Sequence, residues 1–432
     1  MNTPSSTSSL LKALGPGLLF AAAAVGVSHL VQSTRAGASF GMGMLVVVLA
    51  ANLIKYPAFR IGPQYAAATG QSLLHGYSRL GPWALPTYVL LTLSTMFSVC
   101  AAVTVVTAGL AMAVTGVTTL PAWGMSGLLL AFCVMLLGLG RYAALDLVSK
   151  ILVAVLTVAT LLATFMALGR LGGPAADSWS PFTVPWSEPA TILFAVGLFG
   201  WMPSAIDVSV WQSLWGLERN RQQGGVIEWT HALKDFHIGY IGTTVLAVCF
   251  VIMGAGVMYG TGAVFEDRPG AFAGQVIGLY AQTLGEWTRP LVGIAAFSVM
   301  FSTTLTVADG FPRALSAAIA RLREGESCDD SQDPSQRRTL FLVLVAAQAL
   351  VATAILAVAM SSLSALVDLA TTLSFLTAPV LSAMNHAAMH RIEPGNPVGM
   401  SPALARASMA GIVLQAAFAI GYLLVRFGGV SS

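Results

Sequence analysis

The sequence predicts an all-α integral membrane protein of eleven transmembrane helices, on three observations: composition, long uncharged runs, and the pattern inside those runs. Of 432 residues, 56% are apolar and 9% are charged, against about 25% charged in an average soluble domain. No Asp, Glu, Lys or Arg stands between Arg79 and Arg141, between Asp235 and Glu266, or between Arg338 and Asp368. Membrane barrel strands alternate apolar and polar residues, whereas these runs are apolar on every side.

A helix crosses the hydrocarbon with about 20 apolar residues. Runs of that kind fall at roughly 15–34, 40–60, 84–114, 122–140, 143–169, 190–215, 236–259, 288–311, 339–360, 361–386 and 402–426. The polar leader carries one Lys and no small-residue cleavage pattern follows the first run, so a cleavable signal is not predicted. With the N-terminus inside, sixteen Lys and Arg fall on the cytoplasmic side, and only Arg35, Arg170, Arg268, Arg289 and Arg426 on the other. The positive-inside bias therefore predicts a multi-pass protein of the inner or plasma membrane, with its N-terminus cytoplasmic and its C-terminus extracytoplasmic. Residues 321–338 read as a polar cytoplasmic connection, 170–189 as an extracytoplasmic loop on the membrane surface, and 275–285 as a short interfacial helix.

The same composition excludes other classes. A net charge of +3 with dispersed basic residues argues against nucleic-acid binding. The four cysteines, Cys100, Cys133, Cys249 and Cys328, show no paired spacing, so neither a disulfide framework nor a zinc site is expected. There is no His-Glu-x-x-His or Walker motif, so no enzyme, cofactor or ATP-driven pump is expected.

Two spans are interrupted. Span one contains Gly26-Val27-Ser28-His29, and span six contains Gly200-Trp201-Met202-Pro203-Ser204. Pro203 lacks a backbone donor and clashes with the preceding turn, so it breaks or kinks the helix. Five spans separate the interruptions, which gives two five-helix halves opposite orientations. This is the inverted 5+5 repeat of LeuT-like secondary transporters, whose cargo sits at the midplane between broken helices 1 and 6. The chain then reads as a single transmembrane domain, with repeat one at about 15–169, repeat two at about 190–386 and an extra helix at about 402–426.

The stretch GPGLLFAAAAVGVSHLVQSTRAGA (15–38) resembles the first helix of the NRAMP family of divalent-metal transporters, within the amino acid–polyamine–organocation superfamily. The family's Gly-Pro-Gly opening matches residues 15–17, its closing Ala-Gly matches Ala36-Gly37, and the Met-Pro of its sixth helix matches Met202-Pro203. The resemblance implies a proton-coupled symporter that moves a metal ion by alternating access. The metal-site motif, however, departs from the family. Where relatives have Asp-Pro-Gly-Asn this chain has Gly26, Val27, Ser28 and His29; the His after Met-Pro becomes Ser204, and a helix-ten Gln falls at Thr372. The implied substrate-binding set is Gly26, His29, Trp201, Met202, Asp207 and Thr372, with Met202, His29 and Asp207 as the metal ligands if a metal is carried. A dication in the membrane needs charge compensation, which Gly26 does not supply.

Ionisable residues within spans are costly and by default functional. His29 is open to three readings: metal ligand, proton carrier, or a histidine hydrogen-bonded in the bundle. Asp207 neutralises a bound cation, pairs with His29, accepts the proton, or forms an ion pair with Lys55. Lys55 either snorkels to the interface or stands as a fixed ammonium in place of a co-transported cation. Asp146, Lys150 and Asp309 lie near cytoplasmic helix ends, where with Lys55 and Arg60 they form a gate or a solvated cluster. Asp368 is placed in an outer vestibule. Trp201 and Trp211 are either core packing or the wall of a pocket for an organic cation, and Thr371, Thr372, Ser374 and Thr377 make one side of span ten polar. The expected partners are the lipid bilayer, a small cation substrate and a proton. Transport of a small organic substrate such as an amine or amino acid, and a non-transporting sensor or scaffold, stay open as alternatives.

Overall fold

The computed structural model describes residues 16–139, 142–169, 180–223, 228–262, 264–325, 338–358, 362–393 and 395–427, without the side chains of 16, 18, 142–153, 222 and 223. The described residues are helical, with no strand among them. Span one is built from α1 (Pro16–Ala24), a π-helical turn (Ser28–Ser33) and α2 (Thr34–Phe40). The chain reverses at Gly41, whose φ of 61° favours glycine, and span two is α3 (Leu45–Thr69). There follow α4 (Leu73–Ser78), α5 (Ala84–Thr115), α6 (Ala122–Leu139) and α7 (Tyr142–Leu168). Span six consists of α8 (Pro189–Trp201) and α9 (Asp207–Gln223). The chain continues with α10 (Trp229–Met258), α11 (Pro269–Leu284), α12 (Arg289–Glu324), α13 (Arg338–Val358), α14 (Leu363–His390) and α15 (Pro402–Phe427).

Eight helical stretches among the described residues are long and apolar enough to cross a bilayer. The first, Ser28–Thr69, joins the second half of span one to span two; spans five and six are represented by shorter apolar helices, Ala154–Leu168 and Pro189–Trp201. The protein is therefore a multi-pass membrane protein with an all-helical fold. The helix expected at 275–285 is longer than predicted, Pro269–Leu284, and much of it is buried. Residues of α11 such as Phe272, Val276 and Tyr280 pack inward against α5, which the local sequence could not reveal. Most of the predicted surface loop (170–179) and of the predicted cytoplasmic connection (326–337) lies outside the described residues, as does Cys328. Cys100, Cys133 and Cys249 are buried and unpaired.

The packing follows a two-fold pattern. The span-three helix α5 packs on its counterpart α12, α3 on α10, and α6 on α13. The contacts of α1 and α2 with α10 are matched by those of α8 and α9 with α3. This arrangement brings the two interrupted spans together, between α5 and α12.

Candidate functional site

The interruption of span one lies at Val25–Gly26. Gly26 N–H turns back to Ala24 O (2.8 Å), and the ladder resumes only with His29 and Leu30 N–H on Gly26 O. A π-helical turn follows, in which the Ser33 hydroxyl donates to Ser28 O at 3.2 Å. Thr303 of α12 takes up carbonyls left by the break: its Oγ1 lies 2.7 Å from Ala22 O and 3.3 Å from Val25 O. Gly26 is needed for this approach, since a Cβ there would lie 2.8 Å from the Thr303 methyl.

Span six breaks between Trp201 and Asp207, around the cis Met202–Pro203 bond. Pro203 supplies no N–H, and carbonyls on both sides of it are taken by one cation. Lys55 Nζ donates to Gly200 O at 2.7 Å and to Ser204 O at 3.2 Å, and sits 5.4 Å from the centre of the Phe199 ring. Lys55 is wholly buried. It does not snorkel, and it forms no ion pair with Asp207. The negative end of the α8 dipole and two freed carbonyls hold the ammonium inside instead.

Between the breaks lies a cavity of about 30 Å³, bordered by spans one, three, six and eight. Its aromatic wall is Trp201, Trp211 and Phe311; its hydroxyls are Ser28, Ser204 and Thr303; the rest is Val and Ala, with no charged side chain. Trp201 Nε1–H is used by Ser374 Oγ (2.8 Å), but the buried Nε1–H of Trp211 has no partner. Trp211 meets Phe311 edge-on, with ring centres 4.7 Å apart.

The predicted metal set does not converge on this space. His29 Nε2 lies 2.9 Å from Thr243 O, which only accepts, so that nitrogen carries a proton; Nδ1 lies 2.8 Å from Ser28 Oγ. Neither nitrogen is free to ligate. Met202 is buried in a separate apolar cluster with Ala36, Val48, Phe199 and Val251, and its sulfur accepts from Ser33 Oγ at 3.9 Å. Asp207 is buried at the start of α9 and bonded to neither. Among the described residues no group of three or more His, Cys, Asp and Glu is placed to hold a metal. Gly26 and Thr372 do not line the cavity, and Thr372 is half-buried on α14.

Among the described residues, the predicted gate members Lys55, Arg60 and Asp309 do not pair with one another. Asp309 pairs with Arg313 on its own helix (2.7 and 2.9 Å) and accepts from Trp215 Nε1 at 3.4 Å. Arg60 bonds to Gln64 and Tyr56. The side chains of Asp146 and Lys150 lie outside the described residues. A different polar link joins α2 to α14: Arg35 Nη1 lies 3.1 Å from Asp368 Oδ1 and 3.1 Å from Gln32 Oε1. At the far end of span one, Asp235 of α10 accepts the Gly17 N–H at 2.7 Å and caps α1.

Thr303, Phe311, Val99 and Val103 were not picked out from the sequence. A signal existed for Thr303, because Ser302, Thr303, Thr304 and Thr306 put four hydroxyls within five residues of an apolar span.

Pasteurella multocida uncharacterized protein PM0681 is 38% identical over 303 residues, covering 70% of this chain and 69% of the relative. The chain belongs to the PM0681 family. No protein-family model matches the sequence. Among solved structures, mutants of the Eremococcus coleocola manganese transporter superpose with a TM-score of 0.69 at 14% identity, over 100% of this chain and 91% of theirs. MhsT in complex with L-phenylalanine gives 0.65 at 14% identity, over 96% and 98% of the two chains. A Na⁺-coupled sialic acid symporter gives 0.57 at 12%, over 96% and 89%. At these identities the likeness shows the fold. The PM0681 family member has the LeuT-like fold expected from the two broken spans.

Proposed function

We propose that the protein is a secondary active transporter that works by alternating access and carries a small organic amine or amino acid in the cavity between the two breaks. One observation carries this reading. The space where spans one and six are interrupted is walled by Trp201, Trp211 and Phe311, has no charged lining side chain, and keeps an unpartnered indole N–H. Aromatic faces attract an ammonium group. The Trp211 N–H and the N-terminal end of α9 favour a carboxylate. An amino acid presents both groups. A bare dication would find hydroxyls and aromatic rings there, with no compensating carboxylate on the wall.

On this reading the chain is a divergent NRAMP-like transporter of the inner or plasma membrane that kept the scaffold and changed its cargo. Its N-terminus is cytoplasmic by the distribution of Lys and Arg. The neighbours in fold, a manganese transporter and a transporter holding L-phenylalanine, mark the two cargo classes to compare. The cavity has room for about two waters, so loading requires the helices to part.

The test is counterflow in proteoliposomes. Vesicles preloaded with each unlabelled compound of an amine and amino-acid panel are diluted into trace labelled compound, with Mn²⁺ uptake under a proton gradient measured in parallel. Accumulation of an organic compound above empty liposomes, abolished by Trp211→Ala, is expected. Mn²⁺ uptake with no organic counterflow would refute the reading.

A further inference from the structure

The least satisfied polar group near the cavity is a carboxylate behind its wall. Asp207 opens α9 between the cavity residues Ala205 and Val208. It is 1% exposed, and both its oxygens are buried with no hydrogen-bond partner. Two hydroxyls one helical turn apart on α5, Tyr88 Oη and Thr92 Oγ1, find no partner outside their own pair. The Tyr88 ring packs on Tyr77 with centres 5.6 Å apart, which leads from these hydroxyls back toward α9 through one buried region. Tyr77 continues it by donating to Asn385 Oδ1 (2.5 Å), and Asn385 Nδ2 bonds Ser209 Oγ (2.8 Å). Buried polar atoms are nearly always paired, and a group of unpaired ones calls for an explanation.

Among the described residues no cation pairs with Asp207. The elements packed most extensively on α9 are α1, α3, α4 and α12, and α5 and α14 reach it as well. Helix α5 carries no charge, and on α14 Asp368 is paired with Arg35 while His386 and His390 stack on each other. Helix α1 carries no charge. On α3, Lys55 is held by Gly200 O and Ser204 O, and Arg60 by Gln64 and Tyr56. On α12, Arg313 is paired with Asp309, and Arg321 lies 3.0 Å from His75 of α4. On α9 itself, Glu218, Arg219 and Arg221 lie about three turns or more further along. What remains to neutralise this carboxylate is a proton.

We propose that Asp207 is the proton-carrying site that couples transport to a proton gradient, with Tyr88 and Thr92 lining its route to water. In the conformation open to the side of higher proton activity, a hydronium ion gives its proton to an Asp207 carboxylate oxygen, forming the O–H bond and leaving water. In the closed state the neutral acid is stable without a partner. When helix motion admits water beside Tyr88 and Thr92, the O–H bond breaks, the proton passes to water and the carboxylate returns. Ala205 and Val208 border the cargo space, so a cargo that displaces α9 also changes the hydration of Asp207. The proposal rests on the transporter reading, but its test does not.

Purified full-length protein in lipid nanodiscs, without any solute, is titrated by attenuated-total-reflection infrared spectroscopy, with 4-¹³C-aspartate labelling to assign carboxyl bands. A protonated-Asp C=O band that disappears as pH rises within about pH 4 to 9, and is missing from Asp207→Asn, is expected. No titrating Asp band in that window, or one that survives in Asp207→Asn, overturns the proposal. Should Asp207→Asn fail to fold, Tyr88→Phe decides: a displaced midpoint supports the site, and an unmoved one overturns it. Failure of counterflow with a positive titration would count against the transporter reading alone, and counterflow with a negative titration against the proton site alone.

Discussion

Replacing Gly310 by alanine is expected to close the cavity and to destabilise the fold by a calculable amount. A Cβ at position 310 would lie 2.5 Å from Cδ2 and Cε3 of Trp211 and 2.8 Å from Cζ3. Carbon atoms pack best at about 3.5–4.0 Å, so the indole must move by about 1 Å. Phe311 blocks one side at 4.7 Å between ring centres, and Trp215 another at 6.0 Å. The available space is the cavity itself, at about 30 Å³. Overpacking of this kind costs about 1–3 kcal/mol, while Gly→Ala within a helix returns about 0.5–1 kcal/mol. A net loss of about 1–2 kcal/mol follows, visible as a melting temperature lowered by a few degrees in detergent. Counterflow should fall about tenfold or more, since the ring has entered the space that the solute needs. Gly242→Ala is the control: no atom lies within 4 Å of a Cβ there, so it should melt at or above the wild type and transport normally. Equal melting temperature and equal transport for the two variants would refute the placement of the cargo space.

Thr303→Val removes the hydroxyl that caps Ala22 O at 2.7 Å; orphaning that buried carbonyl should cost about 1–3 kcal/mol in thermal melts, and Thr303→Ser should restore most of it. Asp368→Asn breaks the pair with Arg35, but the two side chains are 46% and 16% exposed. Solvent screening therefore limits the loss to less than about 1 kcal/mol, and a larger drop on a denaturation curve would mean that water does not reach the pair.

The elements of this fold that announce themselves locally were legible in the sequence. The long uncharged runs became helices, and Pro203 broke span six where its missing N–H requires. The break of span one was the weaker signal, because Gly26 acquires its meaning only from Thr303, 277 positions further on. Lys55 shows why the site was harder to read. The choice between snorkelling and burial depends on carbonyls of Gly200 and Ser204, which are free only because of a proline in another helix. The metal set failed for a related reason. His29 and Met202 stand at positions matching the NRAMP motif, but the rotation of the π-helical turn aims His29 at Thr243, and Met202 faces α3 and α10. Sequence spacing does not encode that rotation. The orphaned group of Asp207, Tyr88 and Thr92 could not be seen at all before α5 and α9 were brought together.

Because the Lys55 ammonium grips one carbonyl on each side of Pro203, it works as a staple across the joint in span six. While both contacts hold, the two rods can swivel about that joint only as far as a single flexible side chain anchored on α3 allows. Span two is thereby the tether that sets the limit of travel. Shortening it by one methylene, with ornithine at position 55, would tighten the joint without altering its charge.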